Sequence, residues 1–144
     1  MSGTPSRANQ LAGYRRVLEA RGRHTPPERL HELAEDPLPA VRIAIAKNPQ
    51  TPPQVLRRLA DDEHPTVAWN ALLRPQMPET GLRRLAELES RNHGRRNLAL
   101  REAIAHHPNA PEPLRTELTS TGTCRDAITC ATMRAALSRA ANPG

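Results

Sequence analysis

The side chains best able to do chemistry in this chain are arginines set at fixed spacings from carboxylates. Arg42, Arg101 and Arg134 occupy one equivalent place in a repeating sequence pattern, and Asp36 and Asp62 precede that place in two copies. A guanidinium presents a planar fork of donors that fits a carboxylate or a phosphate bidentately. Two uses follow. Asp36, Arg42, Asp62 and Arg101 can build a structural Asp–Arg ladder between stacked layers, or the arginines can hold a partner's phosphate or carboxylate. A second group is more openly basic. Arg57 and Arg58 are followed 26 residues later by Arg83 and Arg84, and then Arg91, Arg95 and Arg96 crowd with His93 around Gly94. This group reads as a basic stripe across two layers that ends in a mobile basic finger or in an ordinary solvated loop.

The remaining reactive residues point to no reaction. His106 and His107 stand at a helix end before Pro108, where a cation suits the helix dipole; a metal site would need a third ligand that no spacing supplies. Cys124 and Cys130 lie six residues apart, which is neither a CxxC pair nor a zinc framework. On a helix they would point about 240° apart. The sequence holds no glycine-rich phosphate loop, no supported Ser/His/Asp or Cys/His constellation and no acidic pair in a catalytic setting. The chain is therefore read as non-enzymatic, with no catalytic, cofactor-binding or metal-binding residue and no cofactor.

The elements that must position these groups are helices. The hydrophobic fraction is 37%, yet there is no Phe, and Trp69 and Tyr14 are single. A core made of Leu, Ala, Val and Ile suits close helix layers and not a sandwich or barrel. Residues 25–50 read TPPERLHELAEDPLPAVRIAIAKNPQ and residues 51–76 read TPPQVLRRLADDEHPTVAWNALLRPQ, a gapless repeat of 26 residues. Within one unit, Thr25 is expected to cap a helix whose first turn holds Pro26 and Pro27. Leu30, Leu33 and Ala34 form its apolar stripe. Asp36 and Pro37 break it, and a second helix starts near Leu38 or Pro39, with Val41, Ala44 and Ile45 facing inward. Asn48-Pro49 ends that helix. Such units cannot bury their stripes alone and complete a core only by stacking.

The expected architecture is all-α: a short right-handed α-solenoid of about four two-helix repeats with an N-terminal capping helix. Residues 1–24 form the tail and cap, with Leu11, Tyr14, Val17 and Leu18 on one side covering the first layer. Residues 25–144 form the repeat domain, divided into 25–50, 51–76, 77–109 with an insertion near 87–97, and a degenerate 110–144. Aligning the second helices puts Trp69, Glu102 and Ala135 at the place of Ile43, and Leu73, His106 and Arg139 at the place of Lys47. Positions that accept Glu, Lys and Arg face solvent. Ile43, Trp69 and Leu73 therefore read as an exposed partner-binding patch, unless the insertion or a shifted register buries them.

The TPP opening, the LA-x-D step, the VR pair and the closing NP, in that order, resemble leucine-rich repeat variant repeats, a bacterial family related in architecture to HEAT repeats. The resemblance covers roughly residues 25–144 and weakens after 86. It implies an α-solenoid whose units can pair an α-helix with a shorter 3₁₀-type helix, and it implies binding and no reaction. Some members carry a cysteine-rich iron–sulfur segment ahead of the repeats; no cysteine precedes Cys124 here, so that cofactor is not carried over. The net charge of +6 and a pI near 10.8 favour an acidic partner. The expected function is a protein-binding module or adaptor for an acidic partner or one with an apolar patch. The alternative is a nucleic-acid-binding solenoid that tracks phosphates with arginine; the scarcity of aromatics argues against stacking on single strands. No segment has the length of a signal peptide or membrane span, so a cytoplasmic protein is expected.

Overall fold

The structure, a computed structural model, describes residues 3–4, 6–91 and 98–120. Among them are eight α-helices and no strand: α1 (Arg7–Ala20), α2 (Pro27–Leu33), α3 (Pro39–Lys47), α4 (Pro53–Leu59), α5 (Pro65–Leu72), α6 (Glu79–Ser90), α7 (Leu98–Ala105) and α8 (Glu112–Ser120). Prolines open α2, α3, α4 and α5 at the first helical position, where the missing N–H has no intrahelical acceptor to lose and φ is already helical. Both helices of a unit are α-helical; α2 and α4 are short, at 7 residues each, and neither is of the 3₁₀ type.

Thr25 does not cap α2. Pro26 is the N-cap residue and makes no side-chain cap. The Thr25 hydroxyl turns back and donates to the Glu19 carbonyl at 2.6 Å, and Thr51 donates to the Ile45 carbonyl at 2.7 Å. The threonines close the end of the preceding helix, whose last carbonyls have no helical donor.

The helices α1, α3, α5 and α7 stack in order, and α3, α5 and α7 each carry their own first helix, α2, α4 and α6, against the core. Leu30, Leu33, Ile45, Leu56, Val67, Leu72, Met77, Leu82 and Ile104 are fully buried between them. Each such side chain contributes about 1.5–3 kcal/mol of transfer free energy, and this aliphatic core is what holds the short helices together.

The N-terminal helix packs differently from the expected cap. Of Leu11, Tyr14, Val17 and Leu18, only Val17 packs on the core; Leu11, Tyr14 and Leu18 are 53%, 61% and 48% exposed. The inward side is made by Gly13, Arg16, Val17 and Ala20. Gly13 permits the approach, since a methyl group there would lie 3.1 Å from Leu38 Cδ2. The reason is register: Arg16 and Ala20 stand 26 residues before Arg42 and Ala46, and Ala20 and Ala46 are equally buried. α1 is thus the second helix of a layer that continues the repeat.

In the third copy α6 reaches 12 residues against 7 in α4, running helically through the place where the earlier copies break. Residues 92–97, with Arg95 and Arg96, and residues 121–144, with Cys124, Cys130 and Arg134, lie outside the described residues.

Candidate functional site

The Asp–Arg pairs join one layer to the next. Arg42 Nε donates to Asp62 Oδ2 at 2.7 Å and Nη2 to Oδ1 at 3.2 Å, while Nη1 donates to the Asp36 backbone carbonyl at 2.8 Å. Hydrogen bonding from Arg42 to Asp62 raises the guanidinium's pKa. One layer earlier Arg16 makes the same fork to Asp36, at 2.6 and 3.4 Å. Each aspartate also accepts the backbone N–H two residues on, at Leu38 and His64, so one carboxylate both starts a helix and receives the neighbouring layer. Asp36's side chain therefore pairs with Arg16 rather than with Arg42. Arg101 departs from the pattern, pairing at 2.8 Å with Glu89 of its own layer in a buried bridge.

The basic stripe is interleaved with acids. Arg57 pairs with Asp61 at 3.1 Å, Arg58 with Glu35, Arg83 with Glu79 at 2.8 Å, Arg84 with both Asp61 and Glu87 at 2.8 and 3.3 Å, and Arg91 with Glu87. Partial burial works against the Asp61 charge, but hydrogen bonds from Arg84 and Arg57 outweigh it and hold the carboxyl below its usual range. The described part of this stripe is a network of ion pairs rather than a field of free cations.

Ile43, Trp69 and Leu73 are half-buried, and Ile43 and Trp69 pack against the core. They do not form an exposed patch on adjacent layers. Ile43 lies beside Arg42, which reaches Asp62 ahead of α5, and Trp69 is its counterpart on α5, where it lines a cleft with Leu100 of α7. The counterpart of Arg42 is Ala68, and the place of Asp62 is taken by Leu88 within the extended α6. With both ladder partners gone, α5 and α7 share a much smaller contact than α3 and α5 do. An apolar cleft of about 370 Å³ opens there, lined by Pro65, Thr66, Ala68, Trp69, Leu85 and Leu100. The sequence comparison singled out Trp69; the missing arginine beside it, which makes the room, was the stronger signal.

At the opposite ends of the second helices a further set of bonds crosses the layers. Asn48 donates from Nδ2 to the Ala20 and Gly22 carbonyls at 2.7 and 3.1 Å and accepts the Gln50 N–H at 2.8 Å. Arg74 takes the same place one layer on and donates to the Lys47 carbonyl. His107 takes it in the third layer: Nδ1 accepts the Asn109 N–H at 3.0 Å, so Nε2 carries the proton and donates to the Arg74 carbonyl at 2.8 Å. Burial, with a smaller contribution from the charge of Arg115, lowers the His107 pKa against the opposing effect of its backbone hydrogen bond. The pair His106–His107 is thus divided, since His106 Nδ1 bonds the Glu102 carbonyl. Among the described residues no group of three His, Cys, Asp or Glu side chains could hold a metal.

The family model for the leucine rich repeat variant matches residues 39–64. That stretch is one 26-residue period, from the start of α3 to the turn before α5, and includes both members of the Arg42–Asp62 pair. No curated protein and no solved structure matches the chain.

Proposed function

We propose that this solenoid, whose repeat matches the leucine rich repeat variant family, is a non-catalytic adaptor that seats an apolar side chain of a protein partner in the cleft between α5 and α7. The observation that carries the reading is the cleft itself, about 370 Å³ with mainly apolar walls, opened where the ladder arginine is replaced by Ala68. Its size admits one large aliphatic or aromatic anchor, and an aromatic wall such as Trp69 is what buried interface anchors pack against. Arg83, Arg84 and Arg91 on the neighbouring α6 and its C-terminal cap are already held by carboxylates of this chain, so the apolar anchor rather than charge is proposed to direct the partner. A nucleic-acid ligand would have to displace the carboxylates that already engage the arginines of the stripe. No described helix is long and apolar enough to cross a membrane, and the adaptor is proposed to act in the cytoplasm.

The sharpest test fills the cleft. Trp69 is the chain's only Trp, so its emission reports directly on occupancy. Peptides selected from a random displayed library should shift that emission, carry a large apolar anchor, and lose at least tenfold in affinity to Ala68→Met, which occupies the space without a cavity cost. Trp69→Ala is less decisive because it also opens the core. Peptides that bind wild type and Ala68→Met equally well would overturn the assignment of the cleft. Duplex DNA bound with a steep salt dependence, while no peptide is selected, would favour the phosphate-tracking alternative.

A further inference from the structure

The outer face of α1 combines exposed apolar side chains with unpaired positive charge. At 100° per residue, Arg7, Leu11, Tyr14 and Leu18 fall within an arc of about 60°, opposite the packed side of Gly13, Arg16, Val17 and Ala20. Arg15 and Arg21 flank that arc. All of these outward residues are exposed. Arg7, Arg15 and Arg21 form no ion pair among the described residues, whereas Arg16, Arg29, Arg42, Arg57, Arg58, Arg83, Arg84, Arg91 and Arg101 each hold a carboxylate. The acidic residue of α1, Glu19, lies off this arc and is committed to Arg29, which keeps its pKa low.

We propose that this face docks a helix of a partner protein whose apolar stripe is flanked by Asp and Glu. The repeat geometry says that the occupant is a helix. α3 lies between α1 and α5; Ala44, 26 places after Leu18, is buried, while Ala40, 26 places after Tyr14, is exposed. α1 turns the same side outward, where Leu11, Tyr14 and Leu18 stand exposed. Where the inner helix carries Ala40 and Ala44, of which Ala44 is buried, α1 has the larger Tyr14 and Leu18. They suit a helix set further out, gripped through side chains at i, i+3 and i+7. The charge says what flanks its stripe. Among the described residues Arg7, Arg15 and Arg21 meet no carboxylate, and a second copy would bring the same arginines against each other. Three apolar side chains on a 14-residue helix make a small footprint for a lipid surface, and one well matched to a helix. This surface is separate from the α5–α7 cleft and does not depend on it.

The test is a displayed library of helical peptides with a fixed leucine stripe and flanks randomised among Asp, Glu, Lys, Arg and Ser. It is panned on the full chain and on a Tyr14→Ser/Leu18→Ser variant, whose changes lie in solvent and should leave the circular dichroism and melting midpoint unaltered. Clones retained by wild type should be enriched in acidic flanks, bind the variant at least tenfold more weakly, and lose affinity as strongly to Arg7→Glu/Arg15→Glu. Basic or random flanks, or equal retention by the variant, would overturn the proposal. So would a concentration-dependent dimer in sedimentation that Tyr14→Ser/Leu18→Ser abolishes, or flotation with anionic but not neutral vesicles, since each names a different occupant.

Discussion

His107 stands where Asn48 stands two layers earlier and, like it, accepts the N–H two residues on and bonds a carbonyl of the preceding layer, here with a ring that titrates. Nδ1 must remain unprotonated to accept the Asn109 N–H, and burial favours that neutral form by lowering the pKa from its ordinary value of 6.5. The sign follows from proton counting. Below pH 6.5 the unfolded chain binds a proton at this residue that the folded chain refuses, so the unfolded state gains on acidification. The stability that depends on neutral His107 is fully present above the unfolded pKa and is lost as pH falls from about 6.5 toward the lower folded value. The melting midpoint should therefore drop between pH 7 and 5. His107→Asn, which restores the group used at Asn48, should flatten that segment of the pH profile. An unchanged slope in the variant would show that the joint does not control acid sensitivity.

At the scale of the helix pair, the ladder and the surface network use the same residue types with different consequences. Arg42 and Asp62 have side chains only 11% and 9% exposed, and removing the arginine strands a carboxylate between α3 and α5. Arg42→Ala should lower stability by about 3 kcal/mol, as breaking a buried pair does. Arg83→Ala, at a pair half open to water, should leave the melting midpoint within error, because such pairs contribute little. Equal effects in a denaturant titration would mean that the ladder is ornamental. The period, the proline-opened helices and the buried Leu, Val and Ile rows were all legible in the sequence, because each follows from local pattern. The ladder's direction was not: Asp36 precedes Arg42 by six residues, yet the side chain that meets it is Arg16, and only stacking decides that. The face of α1 was misleading for a related reason. Large apolar side chains at helical spacing read as the buried stripe, whereas the register with Arg42 and Ala46 buries Gly13 and Ala20 and turns Arg16 inward to Asp36 instead. Arg16 lies 26 residues before Arg42, a signal present in the sequence but hidden by the absence of a TPP opening ahead of it.

A solenoid's stability is close to a sum over layers and the interfaces between neighbours, so its weakest interface sets where it opens first. From α1 to α5 the layers are joined twice by arginine–aspartate forks and again by the Asn48 and Arg74 joints. Between α5 and α7 the fork is missing and the cleft takes its place. The joint at His107, with Asn109 donating to the Pro75 and Met77 carbonyls, remains at one end only. The α5–α7 interface should then act as a hinge line, with α7 and α8 opening as a unit while α3 and α5 stay closed. Native-state amide exchange tests this directly. Protected amides of α3 should exchange only through global unfolding, and those of α7 through a smaller opening with its own, weaker denaturant dependence. Ala68→Met should raise protection in α7 without changing α3, since it adds apolar contact at that one interface. A peptide bound in the cleft should do the same. Uniform protection from α3 to α7 would show that the missing fork does not divide the molecule. Protection in α7 that rises with ligand would tie the break in the repeat to the binding proposed for it, because a partner that fills the cleft supplies the contact the repeat lacks there.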